Sequence, residues 1–229
     1  MIRLALFDID GTLIRTGGAG LAAFARTGEA VFGIRNSTDR MRFAGRTDTS
    51  LIRELLTLHD IPTTPENCAR FRKHYLKLLP HILGEYEGHV CAGVQEFAAG
   101  LQALPHPPVL GLLTGNLRAG AEIKLRHYGL WELFATVGAF GDDDEDRNRI
   151  AAVALARGRA LLGNDLRPEE MLVVGDTPHD VACGRAVGAR VLAVATGGAS
   201  WEELVATRPD WLVSDLTHVT AEEIGLNGG

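Results

Sequence analysis

Short runs of consecutive apolar positions punctuate the chain and stop abruptly on polar residues. Leu4–Phe7 runs into Asp8-Ile9-Asp10-Gly11, Val109–Leu113 into Thr114-Gly115-Asn116, and Met171–Val174 into Gly175-Asp176. An apolar run closed by a turn residue predicts a strand buried on both faces, as in a parallel sheet. Val191–Ala195 reads the same way, Thr136–Phe140 as a short strand and Trp211–Val213 as an edge strand. Between them the apolar spacing turns helical over Val94–Leu104, Leu117–Tyr128 with Asn116 as N-cap, Arg147–Leu162, Asp180–Val187 and Ser200–Thr207 with Ser200 as N-cap. Strands alternating with helices predict an α/β fold, a doubly wound and mainly parallel sheet with helices on both faces.

The stretch 15–84 breaks this alternation. Gly17-Gly18-Ala19-Gly20 reads as a linker, and it lacks the Gly-x-x-x-x-Gly-Lys-Ser/Thr pattern of a nucleotide phosphate loop. Leu21, Phe24, Ala25, Val31 and Phe32 then follow at helical spacing. Thr47-Asp48-Thr49-Ser50 can cap a helix carrying Leu51, Ile52, Leu55 and Leu56, and Thr64-Pro65-Glu66 opens a long one through Phe71, Tyr75 and Leu79. The expectation is a core built from residues 1–14 and 85–229, interrupted after its first strand by an all-helical insertion at 15–84 that contains no strand.

Two carboxylates about 4 Å apart repel by roughly 4 kcal/mol at an effective dielectric near 20, so Asp8 and Asp10 need a cation, a shared proton or exposure to water. An Asx turn with a cap is the bland explanation for such a pair. In a parallel sheet, however, Asp8, Asp10, Thr114 and Asp176 all arrive at one carboxyl edge, where ligands of open α/β sheets bind. Asp180 follows on the next loop. Four carboxylates in one cleft call for a divalent cation and a basic side chain.

Composition narrows the options without deciding among them. The 229 residues are 46% hydrophobic, enough for a sizeable core, and the net charge of -6 with no basic tract argues against a nucleic-acid partner. Cys68, Cys91 and Cys183 have neither disulfide-framework nor zinc spacing. No apolar run is long enough for a secretory or membrane-spanning segment, so no membrane partner is expected and the location expected is the cytoplasm.

Asp8-Ile9-Asp10-Gly11-Thr12-Leu13, the strand ending on Thr114, and Gly175-Asp176-Thr177-Pro178-His179-Asp180 together resemble the first, second and fourth motifs of the haloacid dehalogenase superfamily. A helical segment after the first strand resembles its phosphoglycolate-phosphatase-like branch, and the likeness spans Phe7 to about Ala195. The resemblance implies a Rossmann-like core with a helical cap, and a phosphatase that hydrolyses a small phosphorylated metabolite through an aspartyl-phosphate. It implies Asp8 as nucleophile and Asp10 as acid and base. Mg²⁺ would be held by Asp8, Asp176 and the backbone carbonyl of Asp10, with Asp180 orienting water or the basic residue. Thr114, Gly115 and Asn116 would hold phosphate, and Arg46, in a cap segment Gly45-Arg46-Thr47-Asp48, would face substrate.

The third motif of the family, a Lys or Arg often followed by Pro, is not matched. Where it should fall the chain reads Gly141-Asp142-Asp143-Asp144-Glu145-Asp146-Arg147-Asn148-Arg149. Arg147, which opens a helix, is the preferred basic residue and Arg149 the alternative. A guanidinium holds phosphate through a planar fork, so the departure leaves the chemistry intact. The acidic run itself reads as a solvated loop. Two other readings use the same aspartates: a sugar phosphomutase, and a phospho-accepting receiver module, which would be about half this length.

Overall fold

The computed structural model describes residues 1–226. In chain order the elements are β1 (Leu4–Phe7), β2 (Ile14–Arg15), α1 (Ala19–Phe32), α2 (Asp48–Leu58), α3 (Pro65–Leu83), β3 (His89–Val90), α4 (Val94–Ala103), β4 (Val109–Leu113), α5 (Arg118–His127), α6 (Trp131–Phe134), β5 (Gly138–Ala139), α7 (Arg147–Leu162), β6 (Met171–Gly175), α8 (Pro178–Ala186), β7 (Arg190–Val194), α9 (Trp201–Thr207), β8 (Trp211–Val213) and α10 (Ala221–Leu226). Six strands form one sheet in the order β5-β4-β1-β6-β7-β8, every neighbouring pair parallel. From β1 the chain builds outward through β4 and β5, then crosses to β6 on the other side. That reversal opens a crevice at the carboxyl end of β1.

The apolar runs are explained by side-chain alternation. Ala5 and Phe7, Leu110 and Leu112, Leu172 and Val174, and Leu192 and Val194 meet the buried faces of α4, α5, α6 and α10. Leu4 and Leu6, Met171 and Val173, and Val191 and Ala193 meet α7, α8 and α9. Helices on both faces leave no position along these strands for a polar side chain beyond Arg190 at the start of β7. The first place one can stand is just past the strand ends, where Asp8, Thr114 and Asp176 lie.

A third apolar cluster belongs to α1, α2 and α3, with Phe24 at its centre packed against Phe71 and Tyr75, and it recruits Leu117 from the α5 end of the sheet layer. Thr47 and Thr64 cap α2 and α3 as expected, each accepting a backbone N–H from three residues on. One expectation for 15–84 fails: Arg15 lies in a strand. Ile14 and Arg15 pair antiparallel with Val90 and His89, a two-stranded ribbon at the place where the chain enters and leaves the helical layer. Two-residue strands carry no readable periodicity, which is why the sequence hid them. Among the described residues no helix is long and apolar enough to cross a membrane, and all three cysteines are free.

Candidate active site

Asp8, Asp176 and Asp180 are all buried, and a carboxylate oxygen from each lies within 4.8 Å of the others. Adjacent strands deliver the first two, since β1 is flanked by β6 in register, Phe7 opposite Val174. Asp180 comes from the first turn of α8, where its Oδ2 accepts from the N–H and hydroxyl of Thr177 at 3.0 and 2.7 Å. This capping box starts the helix two residues before the expected Asp180 and leaves Oδ1 free to pair with Arg147. The Arg147 guanidinium also stands 3.5 Å from Asp8. Arg149 instead faces solvent and lies 3.6 Å from Asp144. The structure therefore brings Arg147, and not Arg149, to the carboxylates.

Burial pushes the Asp8 carboxyl up to about 7, reinforced by Asp180 and Asp10 and opposed by Arg147 and a hydrogen bond to Thr114. Asp176 is held well above the usual carboxylate range by burial, then by Asp180 and Asp8, against the Gly198 N–H and the Thr12 hydroxyl. Both donors stand 3.0 Å away. Burial works against charge on Arg147, but Asp180 and Asp8 overcome it and the guanidinium stays charged. Three buried carboxylates facing one guanidinium carry excess negative charge. Hard oxygen donors, closely spaced and pushed toward protonation, fit a hard divalent cation such as Mg²⁺. The backbone is shaped around them: a Cβ on Gly197 would overlap the Asp176 carboxylate.

Asp10 is not one of these three. Its carboxylate receives the Lys124 ammonium at 2.9 and 2.7 Å and the Asn116 amide at 2.8 Å. Lys124 spends its remaining donor on Asn116 Oδ1 at 2.6 Å. Burial disfavours this ammonium, yet Asp10 and Asp48 outweigh it and push its pKa up. The sequence reading missed Lys124. The available signal was its place beside Ala121 and Leu125 on the buried face of α5, where a lysine needs a carboxylate partner.

Asn116 does not cap α5. Its side chain is occupied by Asp10, Lys124 and Thr114 Oγ1, and Leu117 stands at the N-cap. The N–H groups at this helix start find distant acceptors: Asp48 Oδ2, from the helical layer, takes the Leu117 N–H at 2.8 Å, Asp142 Oδ2 takes the Arg118 N–H, and the Asp48 N–H donates to Gly115 O at 2.7 Å. Arg46 packs its carbonyl on Gly115 while its guanidinium pairs with Glu54. Thr114 is buried at the end of β4, its Oγ1 accepting the Asn116 N–H at 3.3 Å. A cavity of about 530 Å³ lies between the layers, with Asp8, Asp10, Thr114, Lys124, Arg147 and Asp176 on the sheet side and Phe43, Arg46 and Leu51 on the helical side.

Burial raises Asp48 to about 6, with Lys124 and the Leu117 N–H opposing. A folded pKa above the unfolded value near 3.8 stabilises the fold below pH 3.8, and that stability is lost as pH rises through 6. Asp48→Asn keeps an oxygen for Leu117 and removes the buried charge. It should therefore stabilise the protein at pH 8 by about 3 kcal/mol, the advantage vanishing near pH 4. Urea unfolding at both pH values checks this, and a loss of stability at pH 8 contradicts it.

Residues 5–194 match the family model for haloacid dehalogenase-like hydrolases. Pyrophosphatase PpaX of Bacillus velezensis is 30% identical over 220 residues, 94% of each chain. A phosphoglycolate phosphatase of Synechococcus elongatus is 34% identical over 116 residues, covering 49% of this chain and 51% of that one. Among solved structures, a CbbY variant from Rhodobacter sphaeroides in complex with xylulose-(1,5)bisphosphate superposes with a TM-score of 0.74 at 21% identity, over 94% of this chain and 95% of that one. At that identity the likeness shows a shared fold.

Proposed function

Because the chain belongs to the haloacid dehalogenase-like hydrolases, we propose that it is a Mg²⁺-dependent phosphatase of small phosphorylated metabolites, working in the cytoplasm through an aspartyl-phosphate on Asp8. The observation that carries this reading is the cluster of Asp8, Asp176 and Asp180 at the strand ends, with Arg147 against it and Thr114 alongside.

An Asp8 carboxylate oxygen attacks phosphorus, and the bond from phosphorus to the ester oxygen breaks. Asp10 protonates the departing oxygen, then takes a proton from the water that attacks the phosphoaspartate and regenerates Asp8. Lys124 and Asn116 hold the Asp10 carboxylate in one orientation for both transfers. Arg147 and the Thr114 hydroxyl bind the phosphoryl oxygens, with the backbone of Gly115 and Asn116 beside them, where charge accumulates in the transition state. Asp180 fixes the Arg147 fork and the start of α8. Asp8, Asp176 and the Asp10 carbonyl are the residues for Mg²⁺, which when bound neutralises their charge and polarises the phosphoryl group. Residues 15–84 serve as the cap on the core of 1–14 and 85–229. Hinges near Gly17-Gly18 and Gly84 let substrate in, and Arg46 faces it.

Purified protein should release phosphate from an aryl phosphate with Mg²⁺ and stop when the metal is chelated. Metal-independent release, or none with any ester, contradicts the reading. Arg147→Ala should lower kcat/KM by about 10²-fold or more, whereas Arg149→Ala stays near wild type; the reverse ranking would reassign the basic residue. The names of the two relatives make pyrophosphate and phosphoglycolate the first substrates to compare.

A further inference from the structure

Phe24, Asp48, Leu51 and Tyr75 are the buried side chains that the helical layer turns to the cavity wall. Two of them are polar, and Asp48 is committed to the Leu117 N–H. Tyr75 is not committed to anything. Its ring packs on Phe24, centroids 4.8 Å apart, within the apolar cluster of α1, α2 and α3, a task that a phenylalanine would perform equally well. The hydroxyl makes no hydrogen bond among the described residues. A buried phenol ordinarily finds a partner, because leaving one unpaired costs stability.

The hydroxyl is also not sealed away. Among the described residues, the enclosed side-chain polar atoms without a partner are Arg72 Nε and Tyr128 Oη. Tyr75 Oη, equally unpartnered, is not enclosed with them, so the 1% of its surface that Tyr75 keeps includes the hydroxyl, on a residue of the cavity wall. On the sheet side the buried polar groups are already spent: Asn116 and Lys124 on Asp10, Asp176 on Thr12, and Arg147 on Asp180.

The position of the ring says which part of a substrate it would meet. A Cβ on Gly120 of α5 would lie 3.7 Å from the Tyr75 ring and 3.9 Å from Asp48 Oδ2, so the ring leans on α5 one turn before Lys124, the partner of Asp10. Burial, then Asp48 and Asp10, hold the phenol well above its ordinary range, which keeps it a neutral donor. Asp10 gives its proton to the departing oxygen in the proposed mechanism. The space between Asp10 and the helical wall therefore belongs to the leaving group, and apart from Tyr75 that wall offers it Phe24, Phe43 and Leu51.

We infer that Tyr75 is a specificity-determining residue whose hydroxyl pairs with a hydroxyl on the carbon skeleton of the leaving group. The inference rests on the phosphatase reading for the placement of the reacting phosphate at Asp8 and of the departing oxygen at Asp10. Two hydroxyls match because each can donate to or accept from the other. A hydrocarbon in the same place would shut the phenol away unpaired, and a site that hydrogen-bonds a substrate hydroxyl rejects the analogue lacking it for that reason.

The test compares butyl phosphate with butyl phosphates that carry one hydroxyl on the second, third or fourth carbon, all with Mg²⁺. Wild-type kcat/KM should favour at least one hydroxylated ester by about tenfold or more. Tyr75→Phe keeps the ring and removes a single oxygen. It should bring that ratio close to one, with a melting temperature at or above that of the wild type. Equal rates on all four esters, or a preference untouched by Tyr75→Phe, would overturn the inference, and so would a uniform fall on all four, which marks a residue that only supports the fold. If no ester is hydrolysed, the phosphatase reading fails separately, and calorimetric titration of Asp8→Asn with the same esters decides the role of Tyr75. Tighter binding of a hydroxylated ester, lost on adding Tyr75→Phe, supports it; equal or undetectable binding of all four overturns it.

Discussion

Asp8→Asn should lose phosphate release by about 10⁴-fold or more, the scale seen when a nucleophile is removed from a site whose other parts remain. The amide cannot attack phosphorus, while on the proposed reading Arg147 and Thr114 still bind the phosphoryl oxygens, so substrate affinity should survive. The same substitution should make the metal-free protein more stable at pH 8. Burial holds the Asp8 carboxyl up to about 7, above its unfolded value, so its contribution is present at low pH and lost as pH rises through 7. Removing the charge removes that cost. An inactive variant that melts higher in chelator is the signature of a strained, functional carboxylate. Robust turnover by Asp8→Asn would sink the covalent mechanism, and a lower melting point in chelator would show that Asp8 stabilises the fold through Arg147 instead.

The strand ends were legible because two independent constraints meet there. Burial on both faces forces an unbroken apolar run, and the run must end before a carboxylate can stand. Leu6, Phe7 and Asp8 show this in three consecutive positions, as do Val174, Gly175 and Asp176. The helices with good caps were equally legible, Ser200 reciprocating with Glu203 at the start of α9. The acidic stretch 142–146 was read as a solvated loop, and much of it has local work: Asp146 caps α7, and Asp143 receives Arg157 and the Phe140 N–H.

What the sequence concealed depends on partners distant along the chain. Asn116 looked like an N-cap because it precedes a helix, but Lys124 and Asp10 claim its side chain and Asp48, from another layer, takes the Leu117 N–H. No local pattern announces an acceptor supplied from 69 residues away. The ribbon of Arg15 and His89 is likewise a tertiary pairing of segments too short to have a period. Of the two arginines after the acidic loop, only the spatial arrangement separates the one at the carboxylates from the one in solvent. Periodicity places a helix; which of its polar residues turns toward the sheet edge depends on what waits there.

Lys124→Met should be the most damaging change outside the strand ends. The ammonium is the cation shared by Asp10 and Asp48, and its three donors are used on Asp10 Oδ1, Asp10 Oδ2 and Asn116 Oδ1. Removing one partner of a buried ion pair costs about 3–5 kcal/mol, and since the Asp10 side chain is 43% exposed the low end applies. That corresponds to a fall in melting temperature of about 6–12 °C for a chain of this size. On the proposed mechanism turnover should fall about 10²-fold, because Asp10 loses the group that fixes its carboxylate. Lys124→Arg keeps the charge and should recover part of both. The decisive measurement is the double variant. If Lys124 stabilises Asp48 as well as Asp10, then Asp48→Asn should restore more stability in the Lys124→Met background than it adds to the wild type at pH 8, a coupling a thermodynamic cycle reads directly. Strictly additive effects would mean that the two carboxylates do not share the lysine, and that the link between the helical layer and Asp10 runs only through the backbone of Leu117 and Gly115.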